Sequence, residues 1–187
     1  MQLTICRLTP ELAQDYVHFF DTTPHDDGIP EHRCYCVCWA SESCHGVDFS
    51  TAEKRRAAAL DYISRGVLQG YLAYADGQPV GWCNANTKAD CLHCGSWEYF
   101  MQDVPVTQEH IKSVFCFTIA PHVQRQGVAS ALLQRVIHDA KAEGFAAVEA
   151  YPRCSEAGFS GPLSMYERAG FAITHTLENK LIVKKSL

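Results

Sequence analysis

Between Ser113 and Ala142 the apolar period of the sequence changes in mid-course, and this change constrains the fold more than any other feature. Val114-Phe115-Cys116-Phe117-Thr118-Ile119 is a short continuous apolar run rich in aromatic and β-branched residues, the pattern of a buried strand. Over residues 127–142 the apolar positions Ala129, Leu132, Leu133, Val136 and Ala140 fall on one face at helical spacing, and Gly144 supplies the stop. A strand, a tight turn and an amphipathic helix folding back on it call for a layered α/β arrangement. The first turn of such a helix has amides without intrahelical partners and the positive end of the helix dipole, which together attract phosphate oxygens. The small residues Gly127 and Ala129 let a pyrophosphate approach the backbone, and Arg125 can add a charge-assisted contact.

The rest of the chain supplies the other layers. Residues 3–8 alternate as a short strand, and Thr9-Pro10-Glu11 opens a helix running to about Phe20. From 21 to 49 the pattern dissolves into Pro, Asp, Gly, His and Cys. Ser50-Thr51-Ala52-Glu53 reads as a capping box with Ser50 as N-cap, opening a second helix that Gly66 closes. Residues 71–74 and 80–83 flank Asp76-Gly77 as a β-hairpin, with Pro79 near the start of its second strand. Residues 84–112 read as irregular. Further strands are expected at 146–150 and 181–184, with a short helix at 163–168. No internal repeat or flexible linker interrupts this order, so residues 1–187 are expected to form one domain with a mixed sheet, an α/β (α+β) fold.

A chain of 187 residues buries roughly 70% of its unfolded surface on folding and needs neither disulfides nor a structural metal to do so. No apolar run approaches the roughly 20 residues that span a bilayer. The N-terminus lacks the layout of a secretory signal, so a cytoplasmic protein is expected. Sixteen Lys and Arg against 21 Asp and Glu give a net charge of −5, which offers nothing to nucleic acid or an anionic membrane surface and suits an amine-bearing partner better.

Gln124-Arg125-Gln126-Gly127-Val128-Ala129 resembles the pyrophosphate loop of the GNAT superfamily of acyl-CoA-dependent N-acetyltransferases, Gln/Arg-x-x-Gly-x-Gly/Ala, and Pro121 stands three residues ahead as it tends to in that family. Tyr166-Glu167-Arg168-Ala169-Gly170-Phe171 matches the family's Tyr-x-x-x-Gly-Phe, and residues 75–82 look like the hairpin of its second and third strands. The resemblance implies a mostly antiparallel central sheet flanked by helices, with a V-shaped opening between the strands at 113–119 and 146–150. It also implies acetyl-CoA as cosubstrate. Phe117, Thr118 and Ile119 would meet the pantetheine arm, the amides from Gln124 to Ser130 the pyrophosphate, and Tyr166 would be the general acid to the departing thiolate. A homodimer is compatible, dimers being common in such folds.

Where the family often has Asn and Ala, seven and four residues before the tyrosine, this chain has Phe159 and Pro162, with Ser155 or Ser160 as replacements for the lost pantetheine contact. No carboxylate or histidine lies on the 113–119 strand, so the leading candidate base is Glu149 on the next strand, ahead of Glu109, His110 and Glu98. A neutral amine, or proton loss through water, would need no dedicated base. Cys34, Cys36, Cys38, Cys44, Cys91 and Cys94 read as free thiols, with a zinc site as the alternative. Trp97, Tyr99 and Phe100 either line an acceptor pocket or pack. Two functions stay open on these residues: transfer of acetyl to a primary amine of a small molecule or peptide, and a non-catalytic acyl-CoA sensor with cysteine or zinc chemistry in its N-terminal half.

Overall fold

The computed structural model describes residues 2–25, 27–154 and 158–187. Seven strands form one sheet in the order β1 (Leu3–Arg7), β2 (Gly70–Ala75), β3 (Gln78–Thr87), β4 (Ile111–Ile119), β5 (Ala147–Ala150), β7 (Leu181–Ser186) and β6 (Ala172–Thr176). Every neighbouring pair is antiparallel except β4 and β5. The mixed, mostly antiparallel sheet is therefore as expected. Strand β6 is the one strand absent from the sequence reading: all five of its residues are exposed, so it carries no alternating apolar signal.

Trp82 and Gly81 are successive residues of β3 and so point to opposite faces. Helix α1 (Ala13–Thr22) packs on the Trp82 face, where the Tyr16 ring meets Trp82 edge-on at 4.8 Å. Helix α2 (Ala52–Ser64) lies against α1. Helix α4 (Val128–Ala142) covers the other face, and it comes so close that a Cβ on Gly81 would stand 2.9 Å from the Val128 side chain. Leu132, Leu133, Val136 and Ala140 of α4 are all fully buried, as their spacing predicts.

Several local expectations shift by a residue or more. The N-cap of α2 is Thr51, not Ser50: the Thr51 hydroxyl accepts the Lys54 amide at 3.2 Å. Asp76 and Gly77 both take positive φ, as a two-residue hairpin turn needs. Residues 84–112 are less irregular than their composition suggests, because β3 continues to Thr87 and a short helix α3 (Gly95–Phe100) starts on Cys94, whose sulfur accepts the Trp97 amide.

The decisive irregularity lies in β4. Its register against β3 runs Asn84 to Cys116 and then Ala85 to Val114, leaving Phe115 as an extra residue in a β-bulge. Phe115 is sandwiched between Trp39, stacked at 4.5 Å, and Tyr151, stacked at 5.7 Å. Strand β4 pairs with β5 only from Ile111 to Val114, so its last five residues run on without a β5 partner. This is the V-shaped opening.

Candidate active site

The opening is lined by backbone first. Gly127 takes φ +87° and ends the turn in a left-handed residue, and nothing lies within 4 Å of where its Cβ would be. The glycine is thus required by the backbone angle, whereas the sequence had suggested a close approach. Among the described residues, the amides of Arg125, Gly127, Val128, Ala129 and Ser130 have no backbone partner. The Gln124 and Gln126 side chains are turned inward on the loop, donating to the carbonyls of Ile119 and His122. Five open amides at the start of a 15-residue helix make a cradle for a diphosphate.

Two adjoining clefts meet there. One, of about 470 Å³, runs along the turn and is closed on its far side by Met165 and Arg168 of α5 (Leu163–Arg168). The other, of about 570 Å³, follows Phe117, Thr118 and Ile119 to His25 and Phe159. Ile119, Gln124, Ala129 and Pro162 belong to both, so the clefts are continuous. All the main-chain residues expected to hold the cosubstrate except Gln126 line one cleft or the other.

The turn at residues 158–162 faces the unpaired end of β4. The Phe117 amide points into the opening and donates to the Phe159 carbonyl at 2.5 Å. Tyr166 is fully buried, edge-on to Phe171, and its hydroxyl donates to the Ser160 carbonyl at 2.6 Å. Burial pushes its phenol well above the ordinary value of 10, so at neutral pH it carries its proton. Ser160 serves this contact through its carbonyl, and Ser155 lies outside the described residues.

Glu149 lines neither cleft. It is 5% exposed on β5, its carboxylate taken up by the Lys88 ammonium at 2.5 Å and the Tyr151 hydroxyl at 2.7 Å, and Tyr151 is in turn 2.8 Å from the Ser113 hydroxyl. The expected free base is instead one half of a buried ion pair. The three carboxylates and imidazoles ranked behind it are also engaged elsewhere: Glu109 with Lys184, Glu98 with His45, and His110 stacked on Phe145 at 3.9 Å.

Six of the ten cysteines lie in pairs. Cys38 meets Cys44, and Cys91 meets Cys94, whereas Cys36 lies against Cys116 beneath the sheet. Trp97 packs edge-on against Phe115 and Tyr151, whereas Tyr99 and Phe100 are exposed. Among the described residues, the one trio of metal-type donors within 4.8 Å of one another is His25, Asp27 and His32. Sequence reading passed over His25 and Arg168 as site residues. His25 stands in the long segment after α1, where nothing local says what lies across from it, and Arg168 reads as a surface residue two places beyond Tyr166.

A sheet that parts beside an amide-lined turn, with a tyrosine helix on the far bank, is the architecture of transferases that take acyl-CoA thioesters. The chain belongs to the GNAT acetyltransferase family: residues 31–171 match the family's sequence model. Members of this family use acetyl-CoA. No curated protein matches the chain by sequence. Its fold is similar to an N-acetyltransferase from Staphylococcus aureus Mu50, at TM-score 0.60 and 13% identity over 100% of this chain and 99% of that one. It is similar to an acetyltransferase of the GNAT family from Streptococcus pneumoniae, at 0.56 and 17% over the whole of both chains. It is similar also to the PaiA N-acetyltransferase of Thermoplasma acidophilum in complex with coenzyme A, at 0.57 and 12% over the whole of both chains. Among the described residues no helix is long and apolar enough to cross a membrane.

Proposed function

We propose that the protein moves the acetyl group of acetyl-CoA directly to a primary amine of a small molecule or a peptide. The observation that carries this reading is the set of unpartnered amides of Arg125 and of Gly127 to Ser130 at the head of a cleft that leads along the free end of β4. In this reading those amides take the pyrophosphate, with Arg125 and Arg168 adding charge. The arm then lies along Phe117, Thr118 and Ile119. The Phe117 amide exchanges its bond to the Phe159 carbonyl for one to the thioester carbonyl, where a donor stabilises the charge that develops as the amine attacks. Tyr166, held as a neutral phenol, gives its proton to the leaving thiolate in place of its present bond to Ser160. The net charge of −5 favours an amine that arrives as a cation.

Calorimetric titration with acetyl-CoA and with CoA tests the first half, and micromolar binding, about −8 kcal/mol, is the expected result. For the second half, Tyr166→Phe is expected to bind acetyl-CoA as the parent does while releasing CoA at least about a hundredfold more slowly. Equal rates remove Tyr166 from the chemistry. A protein that binds acetyl-CoA yet releases no CoA with or without amines is the sensor and not the enzyme.

A further inference from the structure

The base that Glu149 does not supply has a candidate on the opposite bank. Among the described residues lining the larger cleft, His25 is the single titratable side chain. It follows α1 directly, its side chain is 21% exposed, and its ring centroid stands 5.6 Å from that of Phe159, whose carbonyl receives the Phe117 amide. Its Nδ1 lies 2.9 Å from Oδ1 of Asp27. An N–H at that position donates to the carboxylate and leaves Nε2 with its lone pair free. Asp27 is itself held in place, its Oδ1 accepting the Ile29 amide at 2.9 Å and its Oδ2 facing Nδ1 of His32 at 2.5 Å.

We propose that His25 is the general base of acetyl transfer, with Asp27 as the positioning residue that fixes its tautomer. This rests on the acetyl-transfer reading above. The amine, having lost its first proton to solvent, forms a C–N bond to the thioester carbon through its lone pair and gives its second proton to Nε2 of His25. The C–S bond breaks, the thiolate takes the Tyr166 proton, and solvent carries the proton from His25 back to the phenolate. Among the described residues, the groups facing His25 are Asp27 and His32 on its own segment, and β4, the loop before α4 and the turn at residues 158–162 bring no charged side chain to the cleft it lines. The carboxylate itself is held below the usual range, chiefly by the bond from His32 and then by the Ile29 amide, so it is ionised at neutral pH.

The test measures CoA release from acetyl-CoA by water, by spermidine and by an alanine-initiated tetrapeptide, alongside acetyl-CoA affinity. His25→Gln is expected to keep the parent's affinity within twofold and to lose about a hundredfold in release at pH 7, the deficit narrowing as pH rises. His25→Ala should recover part of its rate with added imidazole. Asp27→Asn should keep affinity, lose less than His25→Gln, and move the rising limb of the pH profile. A His25→Gln protein that turns over like the parent overturns the proposal, and so does one that loses acetyl-CoA binding in parallel, since that marks a structural role. Because the His25, Asp27 and His32 donor atoms lie within 4.8 Å of one another, a divalent-metal site is the competing assignment. About one metal per purified chain, with activity abolished by a chelator and restored by that metal, also overturns the base role. Failure of the parent to bind acetyl-CoA falls instead on the transfer reading, which separates the two.

Discussion

The two halves of β4 have opposite surroundings. From Ile111 to Val114 the strand is paired on both sides, and Ser113 faces the buried network of Tyr151, Glu149 and Lys88. From Phe117 to Ile119 it is paired on one side only, and its free side belongs to the clefts. The bulge at Phe115 is the boundary, and the Trp39–Phe115–Tyr151 stack fills it. One strand thus spends its polar capacity on stability at one end and leaves it available at the other. Glu149 belongs to the closed end, which is why its chemistry as a lone strand carboxylate does not appear.

The largest effect that would break this division is on the closed end. Glu149→Gln leaves the Lys88 ammonium buried without its counter-charge, and removing one partner of such a pair costs about 3–5 kcal/mol. Denaturant unfolding should show that loss, while acetyl-CoA affinity of the folded fraction stays within twofold. The pair replaced together, Lys88→Met with Glu149→Leu, is expected to recover most of the stability. A Glu149→Gln protein of full stability with a large loss of CoA release would return Glu149 to the active site.

The open end should respond the other way round. Ala129→Glu puts bulk and a negative charge among the free amides, so acetyl-CoA affinity should fall at least about a hundredfold, ~3 kcal/mol. The same carboxylate sits in the first turn of α4, where it favours the helix by about 0.3–1 kcal/mol, so the thermal midpoint should hold or rise. Loss of binding together with loss of stability would mean that the two ends are not separable. Gly127→Ala is the milder probe. Its Cβ meets nothing, so the cost is that of a left-handed backbone alone, about 1–2 kcal/mol in unfolding, with a weaker effect on affinity.

How far each end could be read from sequence follows from how local its cause is. The loop from Pro121 to Ser130 and helix α4 are set by residues adjacent in the chain, and α5 at Leu163–Arg168 falls where its pattern places it. The Lys88–Glu149 pair joins residues 61 apart, and His25 reaches the cleft from the far side of α1, so neither leaves a local trace. The bulge escapes for a different reason: Val114-Phe115-Cys116-Phe117 is apolar on every residue, and an unbroken apolar run carries no alternation to reveal a slip of one. Strand β6 is invisible because none of it is buried.

The smallest expected effect concerns the cover over the closed end. Trp39 stacks on Phe115 there, and the cover's two segments meet where Cys44 lies against Gly95 at the start of α3. The Cys38 thiol donates to the Cys44 sulfur, and the Gly95 amide adds a second bond, which together pull the Cys44 thiol down to about 6 from an ordinary value near 9. Because the folded protein favours the thiolate, this contributes stability that is fully present above the unfolded thiol's pKa and is lost as pH falls through about 6. Cys44 should accordingly be alkylated by iodoacetamide at a rate nearly flat above about pH 7 and falling roughly tenfold per unit below 6, unlike a short thiol peptide, whose rate still climbs at pH 8. Capping Cys44 removes the acceptor of both bonds, so the midpoint should drop modestly, by about 1 kcal/mol of stability. Acetyl-CoA affinity should not change, because Cys44 stands with the closed half. A capped protein that binds acetyl-CoA more weakly would show that the cover reaches across the bulge to the open end.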